Sequence, residues 1–293
     1  MSSGETADVA ALELLLRELR VRVRYEAPDL LETFDGYAGE VRFGRALIAD
    51  DLARLPAGAQ ILEVGAGSLM LSCVLASEGY AVTALEPVGS GFSHFARLQA
   101  IVADYATQQG VLPALLPLSG EELDAFDRFD YAFSVNVMEH VNDVAAVLER
   151  VHASLRRGGI YRFMCPNYAF PYEPHFNLPT LLSRTLTEKL MWRWISSSKK
   201  VLDPLGTWRS LNWITVRRVR RICRQRLTTE PVFDRQIFQT FLSRAMSDEA
   251  FQARRGPLLR GLIAGLQRSG LLHLTTLIPV AFLPVMDCRI ARR

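Results

Sequence analysis

Gln60-Ile61-Leu62-Glu63-Val64-Gly65-Ala66-Gly67-Ser68 is the stretch that decides the fold. Ile61, Leu62 and Val64 make a short apolar run with β-branched character, as a strand buried on both faces of a parallel sheet requires. Gly65 and Gly67 end it. Glycines let a strand-to-helix turn curl tightly and bring its backbone close to a ligand, where a Cβ would obstruct. Ser68 is expected to cap the helix that follows, Leu69 to Ser77. Ala81-Val82-Thr83-Ala84-Leu85 reads as a second buried strand ending at Glu86, which falls 19 residues after Gly67. An acid at that strand tip, about 20 residues past the glycines, is placed to accept hydrogen bonds from ribose hydroxyls.

The same turn opens dinucleotide sites, so its spacing decides the ligand. A nicotinamide fingerprint wants a Gly or Ala three residues after the second glycine, and here that position is Met70. Glu63-Val-Gly-Ala-Gly67 instead resembles motif I of the class I S-adenosylmethionine (SAM)-dependent methyltransferases. That family often carries a further glycine where this chain has Leu69. Phe129-Asp-Tyr-Ala-Phe-Ser134, followed by Glu139-His140-Val141, is similar to the strand and turn of members acting on small molecules, the ubiquinone-pathway type included. Leu155-Arg-Arg-Gly-Gly159 before an apolar strand, Ile160 to Cys165, is a third resemblance in the expected order. Three ordered motifs over about 110 residues are far harder to obtain by chance than one.

The resemblance implies an α/β fold: a Rossmann-like, seven-stranded, mostly parallel sheet with helices on both faces and a C-terminal helical insertion. It implies SAM as cofactor, held by Glu63, Gly65, Ala66, Gly67, Glu86 and Pro87, with Ser119 or Glu121 at the adenine edge and Asn136 and Val137 after the fourth strand. Four segments are expected: a helical cap at 1–55, a SAM-binding core at 56–166, a Pro-rich substrate loop and helix at 167–210, and a remainder at 211–293. In the cap, Leu12, Leu15, Leu16 and Leu19 recur at helical spacing, and Val41 to Leu52 gives a second amphipathic pattern. Tyr25, Phe34 and Tyr37 between them are candidates to line the substrate mouth. After Glu86 come a turn, Pro87 to Gly91, a helix from Phe92 to Gln108, and a third strand from Val111 to Leu116.

The chain's 293 residues, 49% hydrophobic and 22% charged, suffice for a full core. Its 34 basic against 31 acidic residues are too slight an excess to imply nucleic acid. The four cysteines show no Cys-x-x-Cys spacing, which suits reduced thiols in a cytoplasmic protein. The N-terminus lacks the basic start and apolar block of a secretory signal, so the protein is expected to stay where it is made.

Strand carboxyl ends are where open α/β sheets bind ligands, so Asn136 to His140 should lie at the site. His140 is a candidate general base, because imidazole titrates near the working pH. Glu139 beside it offers a second metal-type ligand, but two adjacent ligands are too few for an ion and no metal is expected. Asn142 or Asp143 caps a helix to Leu155, which Arg156 to Gly159 ends. Pro166 to Pro179 holds four prolines in fourteen residues, a stiff loop that cannot be a regular helix. Tyr168, Tyr172, Glu173, His175 and Asn177 on that scaffold are the candidate substrate-binding residues, and His175 is the second candidate base.

Leu181 to Trp194 reads as an amphipathic helix, and Leu211 to Arg224 as another, with Val216, Val219 and Cys223 inward and five arginines spread over the remainder. Such a run is ordinarily a solvated face; its second reading is a surface for phosphates of a sugar-nucleotide or an anionic lipid. Thr228 to Phe233 is expected as the sixth strand and Met286 to Ile290 as the seventh, with Gln236 to Phe282 inserted between them. The apolar run Gly270 to Met286, which carries His273, falls short of the ~20 residues a membrane span needs. Core packing is its first role, and with the arginines it admits peripheral contact at the inner membrane face. The function expected is methyl transfer from SAM to a small-molecule, glycan or lipid-linked acceptor, at oxygen. The other reading is a non-catalytic SAM-binding scaffold.

Overall fold

The computed structural model describes residues 3–87, 93–181, 183–199, 201, 203–247, 261, 265, 268, 269 and 277–293. Seven strands lie among them: β1 (Gln60–Val64), β2 (Ala81–Leu85), β3 (Ala114–Leu116), β4 (Phe129–Val135), β5 (Leu155–Pro166), β6 (Val232–Asp234) and β7 (Val285–Ala291). They form one sheet in the order β3-β2-β1-β4-β5-β7-β6. β1 runs parallel to both β2 and β4, with Ile61 opposite Val82 on one side and Tyr131 on the other. β6 and β7 are antiparallel. The strand order reverses between β1 and β4, the switch point at which open α/β sheets leave room for a ligand.

The chain divides into two compact units. The first comprises Met1–Val135, Glu149–Arg162 and Ala291–Arg293. Its helices are α1 (Ser3–Glu26), α2 (Leu31–Leu52), α3 (Met70–Ser77), α4 (Ser93–Gln109) and part of α5 (Val144–Ser154). The leucine stripe reads as expected: Leu12, Leu15, Leu16 and Leu19 are all buried in one core with Phe34, Ile48 and Leu52. Each such side chain contributes about 2 kcal/mol by leaving water. Phe34 therefore packs in the core, while Tyr25 is 91% exposed. Through this core runs a buried ion pair, Arg162 Nη1 donating to Asp51 Oδ2 at 2.8 Å, with the Tyr131 hydroxyl donating to the same oxygen at 3.2 Å.

The second unit comprises Asn136–Leu148 and Phe163–Ile290. It holds the Pro-rich loop, α6 (Arg184–Ser196), α7 (Pro204–Ser210), α8 (Val216–Ile222) and α9 (Gln236–Ser247). Asn167 ties it together: its side-chain amide donates to the carbonyls of Ala281 and Leu283, and its Oδ1 accepts from the Ala169 and Val216 amides.

Several boundaries differ from the sequence reading. Ser68 does not cap α3; Leu69 occupies the cap position in the left-handed region at φ 67°, without a side-chain cap bond. That backbone costs a leucine ~1–2 kcal/mol, yet the side chain is 1% exposed. Removing a buried leucine costs ~3 kcal/mol, so packing outweighs the strain that a glycine here would relieve. Arg156 to Gly159 belong to β5 and do not end a helix. Gly158 donates to the Arg292 carbonyl at 2.7 Å and Arg292 to the Gly159 carbonyl at 2.9 Å, so the C-terminal strand draws this segment into the sheet. A Cβ at Gly159 would stand 3.0 Å from the Asp130 carbonyl oxygen, which explains the glycine.

Strand β3 starts at Ala114, not Val111. β6 is shorter than expected too, because Thr228 turns left-handed at φ 52° after a π-helical turn, Cys223–Leu227, and Pro231 lacks an N–H for the ladder. The expected helix does not start at Leu211: residues 211–215 are irregular, with Trp213 left-handed, and the Thr215 hydroxyl accepts from Arg218 N and starts α8 there. Asp143 caps α5 through the Ala145 and Ala146 amides. The turn at Val88 to Gly91 with Phe92, and most of the expected insertion, including His273, lie outside the described residues.

Candidate active site

In the first unit the residues after β1 are tied to the end of β2. The Gly65 and Ala66 amides both donate to the Leu85 carbonyl, at 2.7 and 3.2 Å, and the Gly67 amide donates to Glu86 Oε2 at 2.8 Å. Both glycines have positive φ, 77° and 51°, the region that glycine enters without strain. The turn thus consumes its own amides. What it offers a ligand is a Cβ-free approach and the Glu86 carboxylate, whose acidity is weakened by burial against the opposing pull of the Gly67 amide. Gln99 of α4, which the sequence reading missed, donates to the Gly67 carbonyl at 3.1 Å.

Glu63 lies buried in β1, where the Ser72 hydroxyl donates to its carboxyl. Burial pushes it up to about 8, with a further push from Glu86. Neutral Glu63 thus stays packed against α3. Ser119 gives its hydroxyl and its amide to Glu122, within a short 3₁₀ turn that also contains Glu121. Pro87 follows Glu86 in open chain.

In the second unit Asn136 leaves β4 in the left-handed region at φ 57°, its amide held by the Met164 carbonyl at 2.8 Å, and Val137 follows. Asn212 then clamps the turn. Its side-chain amide donates to the Met138 and Val141 carbonyls and its backbone amide to the Glu139 carbonyl, all at 2.8 Å. Glu139 is fully buried, and neither of its carboxyl oxygens has a hydrogen-bond partner. Burial pushes it up to about 7, against the downward pull of His175. A carboxyl left without partners in the interior is expensive, so it marks a place where something else is meant to meet it.

His140 Nδ1 lies 2.7 Å from Ser210 Oγ, and that hydroxyl donates onward to the Thr207 carbonyl at 2.8 Å. Since the serine hydrogen is already used, Nδ1 must carry the imidazole hydrogen, which leaves the lone pair on Nε2. Nε2 stands 4.0 Å from Glu139 Oε1. Burial, helped by His175, pushes His140 down to about 3, so it is neutral across the physiological range.

The Pro-rich loop is irregular, as expected, with one bridge between Glu173 and Leu178. Glu173 is fully buried and accepts from the Phe176 amide at 2.7 Å, the Tyr168 hydroxyl at 3.2 Å and His175 Nδ1 at 2.6 Å. In the structure it acts as an anchor that orients His175. Tyr168 is buried and kept protonated by burial and by Glu173. Tyr172 donates to Asn177 Oδ1 at 2.6 Å, and Asn177 is left-handed at φ 52°. His140 and His175 meet edge to face, centroids 5.2 Å apart. Glu139, His140 and His175 each bring one ligand atom within 4.8 Å of the others. The sequence reading paired Glu139 with His140 as ligands and took His175 as a candidate base; His175 lies 35 residues beyond His140 and joins the pair only by folding.

The structure also recruits residues that the sequence did not signal. Trp213, left-handed at φ 56°, stacks on Tyr168 at 5.4 Å and meets Trp208 edge-on. Both indole N–H groups are buried without a partner.

Comparison with known proteins identifies the family. A sequence profile described as a methyltransferase domain matches residues 40–224. An uncharacterized protein of Mycobacterium tuberculosis is 42% identical over 284 residues, 97% of this chain and 96% of its own. A ubiquinone biosynthesis O-methyltransferase of Paramagnetospirillum magneticum is 37% identical over 119 residues, 41% of this chain and 44% of that protein. Among solved structures, a Haemonchus contortus phosphoethanolamine N-methyltransferase 2 bound to S-adenosylhomocysteine superposes with a TM-score of 0.50 at 15% identity. That superposition covers 85% of this chain and 52% of the other, and it bears on the fold alone.

Proposed function

This chain belongs to the methyltransferase-domain family, as a SAM-dependent class I enzyme, and we propose that it methylates a hydroxyl oxygen of a small-molecule, glycan or lipid-linked acceptor, with Glu139 taking the proton. The observation that carries this reading is the Glu139 carboxyl: fully buried, unpartnered and pushed up to about 7. A base poised near the working pH combines a useful ionised fraction with useful basicity. His140, pushed down to about 3, is too weak a base for that task. It serves instead as a hydrogen-bond acceptor, and His175, oriented by Glu173, completes the polar wall. The partial likeness to ubiquinone O-methyltransferases supports oxygen as the acceptor atom.

SAM, when bound, supplies a methyl group already activated by its sulfonium. The residues of the β1 turn fit it: two positive-φ glycines leave no Cβ in the way, and Glu86 is fixed by the Gly67 amide with its carboxylate at the strand tip, where ribose hydroxyls can donate to it. Glu63, Ala66, Pro87, Ser119, Glu121, Asn136 and Val137 complete the proposed cofactor set. Glu86→Ala is expected to weaken SAM binding about 10- to 100-fold, the worth of hydrogen bonds to a charged group. Calorimetric titration checks it, and unchanged affinity would remove Glu86 from the site. Tyr168, Tyr172 and Asn177 remain proposed for the acceptor, through the walls of the Pro-rich loop. Four buried free thiols support a reducing, cytoplasmic setting. No helix among the described residues is long and apolar enough to cross a membrane.

One observation favours a second reading. Glu139, His140 and His175 offer a carboxylate and two imidazoles at mutual ligand distance, each histidine held through Nδ1 by Ser210 or Glu173, as outer partners hold metal-binding imidazoles. In that reading the three residues hold a divalent cation that would lower the acidity threshold of the acceptor hydroxyl. Dialysis against EDTA separates the two. A base predicts unchanged turnover; an ion site predicts a loss restored by Mg²⁺ or Mn²⁺, together with a Mn²⁺-dependent rise in melting temperature that Glu139→Gln abolishes.

A further inference from the structure

The segment Arg217 to Arg226 carries six arginines and no acid. Six like charges on one short helix and its following turn repel one another at three- and four-residue spacing, a cost that an anion would relieve. Glu230 answers two of them, Arg220 and Arg224, and is shared between the pair. Arg217 and Arg221 have no carboxylate partner among the described residues. They lie four residues apart, so they stand on one face of α8 as neighbours about 6 Å apart at Cβ.

Three of these guanidinium groups are held in place. Arg217 is laid over the Phe282 ring at 5.4 Å and Arg220 over Phe233 at 5.4 Å. Arg224 grips Glu230 with two hydrogen bonds, at 2.6 and 3.1 Å. A groove of about 320 Å³ is lined by Arg217, Arg220, Arg221, Arg224 and Gln225. A second groove, of about 390 Å³, shares Arg221 and Gln225 and adds Arg218 and Arg226, with Asp143 in its wall as an acid of opposite sign. The π-helical turn Cys223–Leu227 that carries Arg224 to Arg226 is a kind of distortion seen frequently at functional sites. An ordinary solvated face intersperses charges of both signs, whereas every charged residue lining the first groove is an arginine, and guanidinium forks suit the oxygens of phosphate.

We propose that the Arg217 and Arg221 row is a phosphate-binding subsite, which takes the phosphate or diphosphate of the acceptor or of the lipid that carries it. This deepens the acceptor class given above and rests on that reading for its biological use, but phosphate binding itself is measurable without any methyl transfer. Neither groove contains Glu139, His140, His175 or Glu86, so charge removal here leaves the proposed chemistry in place.

The test is calorimetric titration of the full chain with inorganic pyrophosphate at low salt, for wild type, Arg217→Ala/Arg221→Ala, and a control pair from another exposed basic helix, Lys189→Ala/Arg193→Ala. The subsite predicts that the first pair weakens binding by at least about tenfold and that the control pair leaves it unchanged, with SAM affinity equal in all three. A parallel arm sediments the protein with phosphatidylglycerol vesicles. Vesicle binding displaced by pyrophosphate would identify a lipid headgroup as the source, and pyrophosphate binding without vesicle binding a soluble phosphorylated compound; both support the subsite. No pyrophosphate binding, or equal losses in the two variant pairs, would overturn it. Pyrophosphate binding in a protein that never transfers methyl would leave the subsite standing and sink the enzymatic reading of the acceptor.

Discussion

Glu139→Gln is expected to lower turnover about 100- to 1,000-fold while leaving SAM affinity unchanged, because general-base catalysis is worth about that much and the amide fills the same volume without accepting a proton. The measurement is S-adenosylhomocysteine released from SAM with a hydroxyl acceptor found by screening, alongside calorimetry for the cofactor. Wild-type turnover should rise with pH through about 7 as Glu139 ionises, and the variant should lose that limb. A loss below about threefold with the limb intact would show that another group takes the proton. Stability should move the opposite way. The folded protein holds the Glu139 proton more tightly than the unfolded chain does, so this group's favourable contribution is complete below the ordinary carboxylate range. It is lost as pH rises from about 4.5 to about 7. Above pH 7 the ion-free wild type therefore carries a penalty of the order of 2–3 kcal/mol that the glutamine variant lacks. A variant slower yet more stable is the signature of a group kept for chemistry. A wild type that regains its stability on addition of Mn²⁺ would assign that chemistry to an ion.

Arg162→Met should destabilise the first unit by about 3–5 kcal/mol, since it takes the guanidinium away from the Asp51 carboxylate, which is 3% exposed and also accepts from the Tyr131 hydroxyl. Thermal unfolding should show a midpoint lowered by roughly 6–15 °C. Adding Asp51→Leu to the same chain should restore most of the loss, because the penalty comes from the orphaned charge and not from the missing attraction. If the single variant loses less than about 1 kcal/mol, water reaches Asp51 and the pair is not part of the core.

These two sites divide the legible from the illegible. The β1 and β2 strands, the glycine turn, Glu86 and the leucine stripe of α1 could all be read because each depends on neighbours within a few residues or at a fixed spacing. Period two or 3.6, a glycine where φ turns positive, and an acid at a strand tip are local facts. Ser68 misled because local capping chemistry was overridden: Leu69 gains more from burial than its left-handed backbone loses. Leu211 to Thr215 misled for a related reason. Its apolar and basic spacing suits a helix, but Asn212 lies outside one, where its side chain holds the Met138 and Val141 carbonyls.

The sequence by itself determined the sheet class, the cofactor and the family, because those reside in short patterns whose physics is contained within the pattern. Only the tertiary structure decided that Glu139, assigned no role of its own among the expected site residues, has no hydrogen-bond partner and lies at ligand distance from two histidines, that Glu173 orients His175, and that Ser210 fixes the tautomer of His140. Burial and orientation are properties of what packs around a side chain. A carboxyl comes to ionise near neutrality, and an imidazole well below its usual range, only when residues distant in the chain have buried them.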